Sequence, residues 1–183
     1  MKRIFLGSFV KEKPLYDLFE HVQVVFNRET LIKWTRTPEN LHLTWHFFGE
    51  TPLKKIYQIQ EALYDVLDKQ FIVDVHITGI DFFNRRNKPA VLYAVLSDSS
   101  GRLQHLFDQI QHQLYVHQLI QQPAERFVPH ITLGRIKKVS SNFYDVLKVT
   151  NEQFQFIAVK IVIPQIIESI LTPHGALYKP FKI

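Results

Sequence analysis

The sequence predicts an α+β fold of two similar, pseudo-symmetric lobes, and three observations predict it. Strand-like and helix-like segments alternate along all 183 residues. Two strand-like stretches, "NLHLTWHFFGE" at 40–50 and "FVPHITLGRIK" at 127–137, share a His-x-Thr pattern and stand nearly half a chain apart. Hydrophobic residues make up 46% of a chain without any Pro/Gly/Ser-rich linker, enough to bury one core, so residues 1–183 are expected to form one domain.

Each element has its own reason. "RIFLGSF" (3–9) reads as a strand, and Pro14 then opens a helix whose Leu15, Leu18, Phe19, Val22 and Phe26 recur at helical spacing. Residues 27–40 read as a loop leading into the first motif strand. Thr51 and Pro52 suit the start of a helix running to about Lys69, with Ile56, Ile59, Leu63, Val66 and Leu67 on one face. "FIVDVHITGIDFF", the turn "NRRNKP" and "AVLYAVLS" form a hairpin. Residues 100–120 carry an apolar stripe of Leu103, Leu106, Phe107, Ile110, Leu114 and Tyr115 and predict a third helix. The second motif strand follows, then a short helix near "SNFYDVLK". Strands "FQFIAVKIVI", "QIIESIL" and "ALYKPF" close the chain.

Composition narrows the chemistry. With no cysteine, a disulfide framework, thiolate metal sites and a cysteine nucleophile are all excluded. Lys11, Glu12 and Lys13 end the short apolar run at the start, so no signal peptide is expected, and no run approaches the ~18 apolar residues of a membrane helix. A cytoplasmic monomer without membrane contact is the expectation. The net charge of +5 leans toward an anionic partner such as RNA. No phosphate-cradling glycine loop is present, so triphosphate chemistry is not indicated.

The motif is more frequent than chance allows. Random placement of nine histidines and nine threonines gives roughly 0.4 His-x-Thr triplets, whereas three occur. His42 and His130 share a context: each follows a loop, has an aliphatic residue before its threonine, and runs on toward a glycine, Gly49 or Gly134. The third, His76 to Thr78, lies inside the hairpin, lacks that context, and reads as structural. Residues i and i+2 of a strand share a face, so His42 with Thr44 and His130 with Thr132 each set an imidazole beside a hydroxyl. Two imidazoles supply an acid and a base near neutral pH, and two hydroxyls donate to an oxyanion, as cleavage of a phosphodiester requires. Limbs of a pH profile near the ordinary histidine value of about 6.5 are then expected.

With "KRIFLG", Trp34 and the late "ESILTPHGALY", these motifs resemble the two-histidine (2H) phosphoesterase superfamily, and within it the RNA 2′,3′-cyclic phosphodiesterases, also called bacterial 2′-5′ RNA ligases. The resemblance implies two lobes with antiparallel sheets around a central groove and helices outside. It implies opening of a 2′,3′-cyclic phosphate on an RNA end or nucleotide to a 2′-phosphate, without metal or other cofactor. His42 is then the general acid, His130 the general base, and Thr44 and Thr132 hold phosphate oxygens. The same chemistry admits cleavage of 2′-5′ oligoadenylate, or 2′-5′ ligation by reversal. A module that binds RNA ends without turnover is the competing class, against which two intact histidines argue.

Further residues are expected around the pair. Arg135, three beyond Thr132, suits a phosphate but has the opposite strand parity to His130, so a bulge at Gly134 or its own length must bring it round. His46 and Phe48 share the parity of His42 and are expected to line the groove, Phe48 as a stacking surface for a base. Trp34 and Tyr178 are similar candidates. His105, His112 and His117 lack metal-ligand spacing and read as solvated, as does the basic tip 84–88, "NRRNK".

Overall fold

A computed structural model of the chain describes residues 1–26, 30–67, 70–173 and 175–182. Its elements, in order, are β1 (Lys2–Phe9), α1 (Lys13–Phe26), β2 (Leu31–Trp34), β3 (His42–Thr51), α2 (Leu53–Ala62), β4 (Ile72–Arg85), β5 (Lys88–Ser97), α3 (Arg102–Val116), β6 (His130–Lys138), α4 (Phe143–Glu152), β7 (Ile157–Val162), β8 (Gln165–Thr172) and β9 (Gly175–Pro180). Among the described residues no helix is long and apolar enough to cross a membrane.

The strands form one antiparallel sheet in the order β7-β4-β5-β6-β3-β1-β8-β9, with β2 on the far part of β6. Its two halves, β7-β4-β5-β6 and β3-β1-β8-β9, meet at a single pair, Leu43↔Ile131, between the two motif strands. Alternation explains the layering. Leu43, Trp45, Ile131 and Leu133 are buried on the core face, while His42, Thr44, His130 and Thr132 lie on the other, half-open face. The helices cover the core face, α1 packing on α4 and α2 on α3.

Two contacts hold the halves in place beyond their single ladder pair. Trp45 Nε1 donates to Ser8 Oγ at 2.9 Å, and Ser8 Oγ donates to the Val162 carbonyl at 2.6 Å, so β3, β1 and the end of β7 are stitched through buried groups. Phe127, just ahead of the second motif, stacks on Trp45 of the first at 5.5 Å and on Phe107 of α3 at 4.3 Å.

Three details differ from the sequence expectation. The loop at 27–40 contains β2, an edge strand of four residues that finds its partner a hundred residues away, and a short 3₁₀ turn at Pro38–Asn40; residues 27–29 lie outside the described part. Thr51 does not cap α2; it ends β3 and donates to the Gly49 carbonyl, while Pro52 precedes the helix. That helix stops at Ala62, and the expected end near Lys69 falls outside the described residues. The hairpin turn sits at Arg86 and Asn87, both at positive φ (50° and 59°), as a two-residue turn between twisted strands requires.

Candidate active site

The two motif strands are neighbours. With Leu43 opposite Ile131 in an antiparallel pair, the register sets His42 beside Thr132 and Thr44 beside His130. The residues that share a face by parity thus meet across the seam of the two halves, where His42, Thr44 and Thr132 line a groove of about 480 Å³; His130, in register beside Thr44, is not among its lining residues.

Each histidine is oriented the same way. His42 Nδ1–H donates to the Asn40 carbonyl at 2.6 Å, and His130 Nδ1–H donates to the Val128 carbonyl at 2.7 Å. A backbone carbonyl two residues upstream therefore fixes the tautomer of both rings and leaves Nε2 as the unprotonated nitrogen of each neutral ring. Aromatic walls hold the rings. Phe5 and Tyr178 lie 4.8 and 4.9 Å from the His42 centroid, and Phe83 and Tyr93 lie 4.8 and 5.1 Å from that of His130. Burial among these walls pushes the His42 imidazole down to about 4, against the opposing pull of the Asn40 carbonyl, and His130 adds a small push in the same direction. Burial also lowers His130. Tyr93, whose hydroxyl donates to Asp81 at 3.3 Å, is pushed up to about 12 by burial and by that carboxylate, so it stays a neutral wall.

A bulge follows the threonine on each strand. On β3 the register runs from Gly7↔Thr44 to Leu6↔His46, which leaves Trp45 as the extra residue; on β6 it runs from Tyr93↔Thr132 to Leu92↔Gly134, which leaves Leu133 extra. Each bulge reverses the parity beyond it. Arg135 is thereby turned into the groove, by a bulge one residue earlier than the glycine expected. The same device removes His46 and Phe48 from the groove, correcting the expectation for both. His46 faces the helices, where Gln111 Nε2 donates to its Nδ1 at 3.2 Å and burial lowers its pKa. Phe48 packs against the core beside His46. Phe47 takes the groove position instead, 52% exposed, with the Arg3 guanidinium 4.8 Å above its ring.

Trp34 and Tyr178 both line the groove, Tyr178 against His42. Sequence reasoning missed the other cations there, Arg3, Lys33, Arg36 and Lys137, together with Phe5. Their only sequence signal is proximity to the motifs along the chain or across strands not yet paired. Among the described residues no Asp or Glu lines this groove. A larger apolar groove between α1 and α4 contains none of the motif residues. His76 lies exposed on β4, paired with Ser97 and Ala158, outside the groove. His105 and His112 are exposed on α3 and His117 just after it, and Arg85, Arg86 and Lys88 are exposed at the hairpin tip. Among the described residues no group of three or more His, Asp or Glu converges as a metal site.

Two histidines and two threonines at the seam of a two-lobed antiparallel sheet define a 2H phosphoesterase. The chain belongs to the 2′-5′ RNA ligase superfamily, whose model matches residues 14–162. It is 28% identical over 179 residues, 97% of this chain and 91% of the relative, to an RNA 2′,3′-cyclic phosphodiesterase of Thermotoga maritima. It is 29% identical over 147 residues, 80% of each chain, to an RNA 2′,3′-cyclic phosphodiesterase of Archaeoglobus fulgidus. In fold it matches TT0787 of Thermus thermophilus with a TM-score of 0.71 at 19% identity, covering 98% of this chain and 95% of that one. It also matches E. coli LigT complexed with 3′-AMP, with a TM-score of 0.62 at 16% identity over 99% and 95% of the two chains.

Proposed function

We propose that the chain hydrolyses a 2′,3′-cyclic phosphate at an RNA end or on a nucleotide to a 2′-phosphomonoester, using two histidines and no metal. The general reaction class rests on family membership and on relatives named for it. The assignment to residues rests chiefly on one observation: both imidazoles are fixed through Nδ1 on a carbonyl two residues upstream, and the Leu43–Ile131 pair sets each beside the other motif's threonine across the seam.

In this reading His130 Nε2 takes a proton from water as its oxygen attacks phosphorus. The bond from phosphorus to O3′ breaks, and His42 Nε2 gives a proton to that oxygen, leaving a 2′-phosphate and a 3′-hydroxyl. Thr44 and Thr132 donate to the non-bridging oxygens, whose charge grows in the transition state, and Arg135 adds a fixed positive charge. The reaction needs one histidine charged and one neutral. Burial keeps both neutral in the free groove at pH 7, so the proton arrives with the anionic substrate, whose charge opposes the desolvation of His42.

The test is turnover of a nucleoside 2′,3′-cyclic phosphate in EDTA, with the product read by phosphorus NMR. A 2′-phosphate is expected. His42→Ala and His130→Ala, each folded by circular dichroism, should lose roughly 10²- to 10⁴-fold, while His76→Ala stays within a few-fold of the unsubstituted chain. Activity that needs a divalent ion, or folded His42→Ala or His130→Ala chains with near-full turnover, would overturn the assignment.

A further inference from the structure

Beyond the reacting centre the groove carries more positive charge than one phosphate uses. β2 pairs with β6 so that Lys33 stands directly opposite Arg135, and both side chains line the groove. Like charges in direct cross-strand register destabilise a sheet. Lys137 follows on the same strand, left as the extra residue where the ladder passes from Ile32↔Ile136 to Leu31↔Lys138, and it lines the groove as well. Arg36 comes in from the segment after β2. Among the described residues Lys33, Arg36 and Lys137 have no ion-pair partner, and the groove offers no carboxylate to any of them. Gly175, the first residue of β9, closes this end, lying within 4.0 Å of Lys33 and Arg36 as measured from where its Cβ would stand.

A cluster that repels itself and lacks an internal counter-ion is stabilised by an anion from outside. Arg135 lies three residues past Thr132, on the order of 10 Å along an extended strand, and Lys33 and Lys137 flank it on the side away from the histidines. A ligand anchored by a cyclic phosphate at the histidines reaches this end through its ribose. The one further phosphate a nucleotide chain offers there is the ester on the 5′ oxygen of that ribose. We propose that Lys33, Arg36 and Lys137 form a subsite for this 5′ phosphate. The preferred substrate is then the end of an oligonucleotide, in which that phosphate links the terminal residue to the one before it, over a free nucleoside cyclic phosphate. This inference rests on the function proposed above and adds the length of chain that the site reads.

Three substrates with the same base separate the possibilities: the nucleoside 2′,3′-cyclic phosphate, the same compound with a 5′ phosphate, and the dinucleotide ending in the cyclic phosphate. The expected result is a kcat/KM roughly tenfold or more higher for the second and third than for the first, and about equal between them, because the added group in common is the phosphate. In the triple variant Lys33→Gln, Arg36→Gln, Lys137→Gln that ratio should collapse toward one. A ratio near one in the unsubstituted chain, or an undiminished ratio in the triple variant, overturns the subsite. A gain confined to the dinucleotide also overturns it, since the second base is then what is read. Calorimetric Kd values for a nucleoside 2′-phosphate and the matching 2′,5′-bisphosphate give the same comparison without turnover. The bisphosphate should bind more tightly and show a log Kd against log salt slope steeper by about 0.7. If none of the three cyclic substrates is hydrolysed, the proposed function fails and the Kd ratio still decides the subsite; equal Kd values, or no binding of either phosphate, count against it.

Discussion

At the scale of single residues, His42 couples packing to chemistry. Phe5 and Tyr178 wall its ring, and the same walls that hold it in place strip it of water, so its pKa falls to about 4 while that of His130 falls in the same direction. For a base such as imidazole, lowering the folded pKa widens the range in which the neutral form prevails. An acid and a base are both present only between the two apparent values of the pair, and both lie below the ordinary value of about 6.5. The kcat/KM profile, which reports the free protein, should therefore be bell-shaped with both limbs on the acid side of about 6.5. It should fall, not rise, as pH passes through neutrality. Measured kcat/KM against pH for a nucleoside cyclic phosphate checks this, and a profile still climbing at pH 7 contradicts it. The four motif residues were legible in the sequence because parity within a strand is local. The acid-shifted limbs were not, because the walls of each ring come from strands far away in sequence.

Bulges and short strands decide what the elements present to the groove. Parity alone places His46 and Phe48 beside His42, yet the extra residue at Trp45 sends them to the helix side and brings Phe47 forward; the matching bulge at Leu133 brings Arg135 forward. A bulge is a property of a strand pair, so one strand read by itself does not reveal it. β2 escaped notice for a related reason: four residues give too little alternation to stand out from a loop, and its partner lies in the other half of the chain. Its seat depends on Gly134. A Cβ there would come within 2.6 Å of the Ile32 side chain and 3.2 Å of the Lys33 carbonyl. Gly134→Val should therefore push β2 off β6 and destabilise the fold by about 1–3 kcal/mol, the usual range for overpacking. Denaturant unfolding measures the loss, and hydrogen exchange should show it concentrated at Ile32 and Trp34. A Gly134→Val chain with unchanged stability and protection would refute this account of β2.

Across the whole molecule, alternation, helical spacing and the paired motifs predict an α+β chain of two similar lobes, and the groove between them is what the family resemblance implies. The strand order was beyond them, since it depends on which edges meet. That order makes the lobes unequal in one respect. Apart from the short β2 on the edge of β6, the strands of the second, β4, β5, β6 and β7, lie between Ile72 and Val162, whereas the first joins β1 and β3 to β8 and β9 from the opposite end of the chain. A chain cut after Val162 should keep slow-exchanging amides in β4 and β5 and lose them in β1, which no longer has β8 beside it. Equal protection in β1 with and without the last strands would contradict this. The consequence reaches back to synthesis. A ribosome releases both histidine motifs before β8 and β9, the strands that bring Tyr178 against His42 and Gly175 over the cations. Translation that stops short of them is expected to leave a product that holds both histidine motifs and yet turns over little cyclic phosphate.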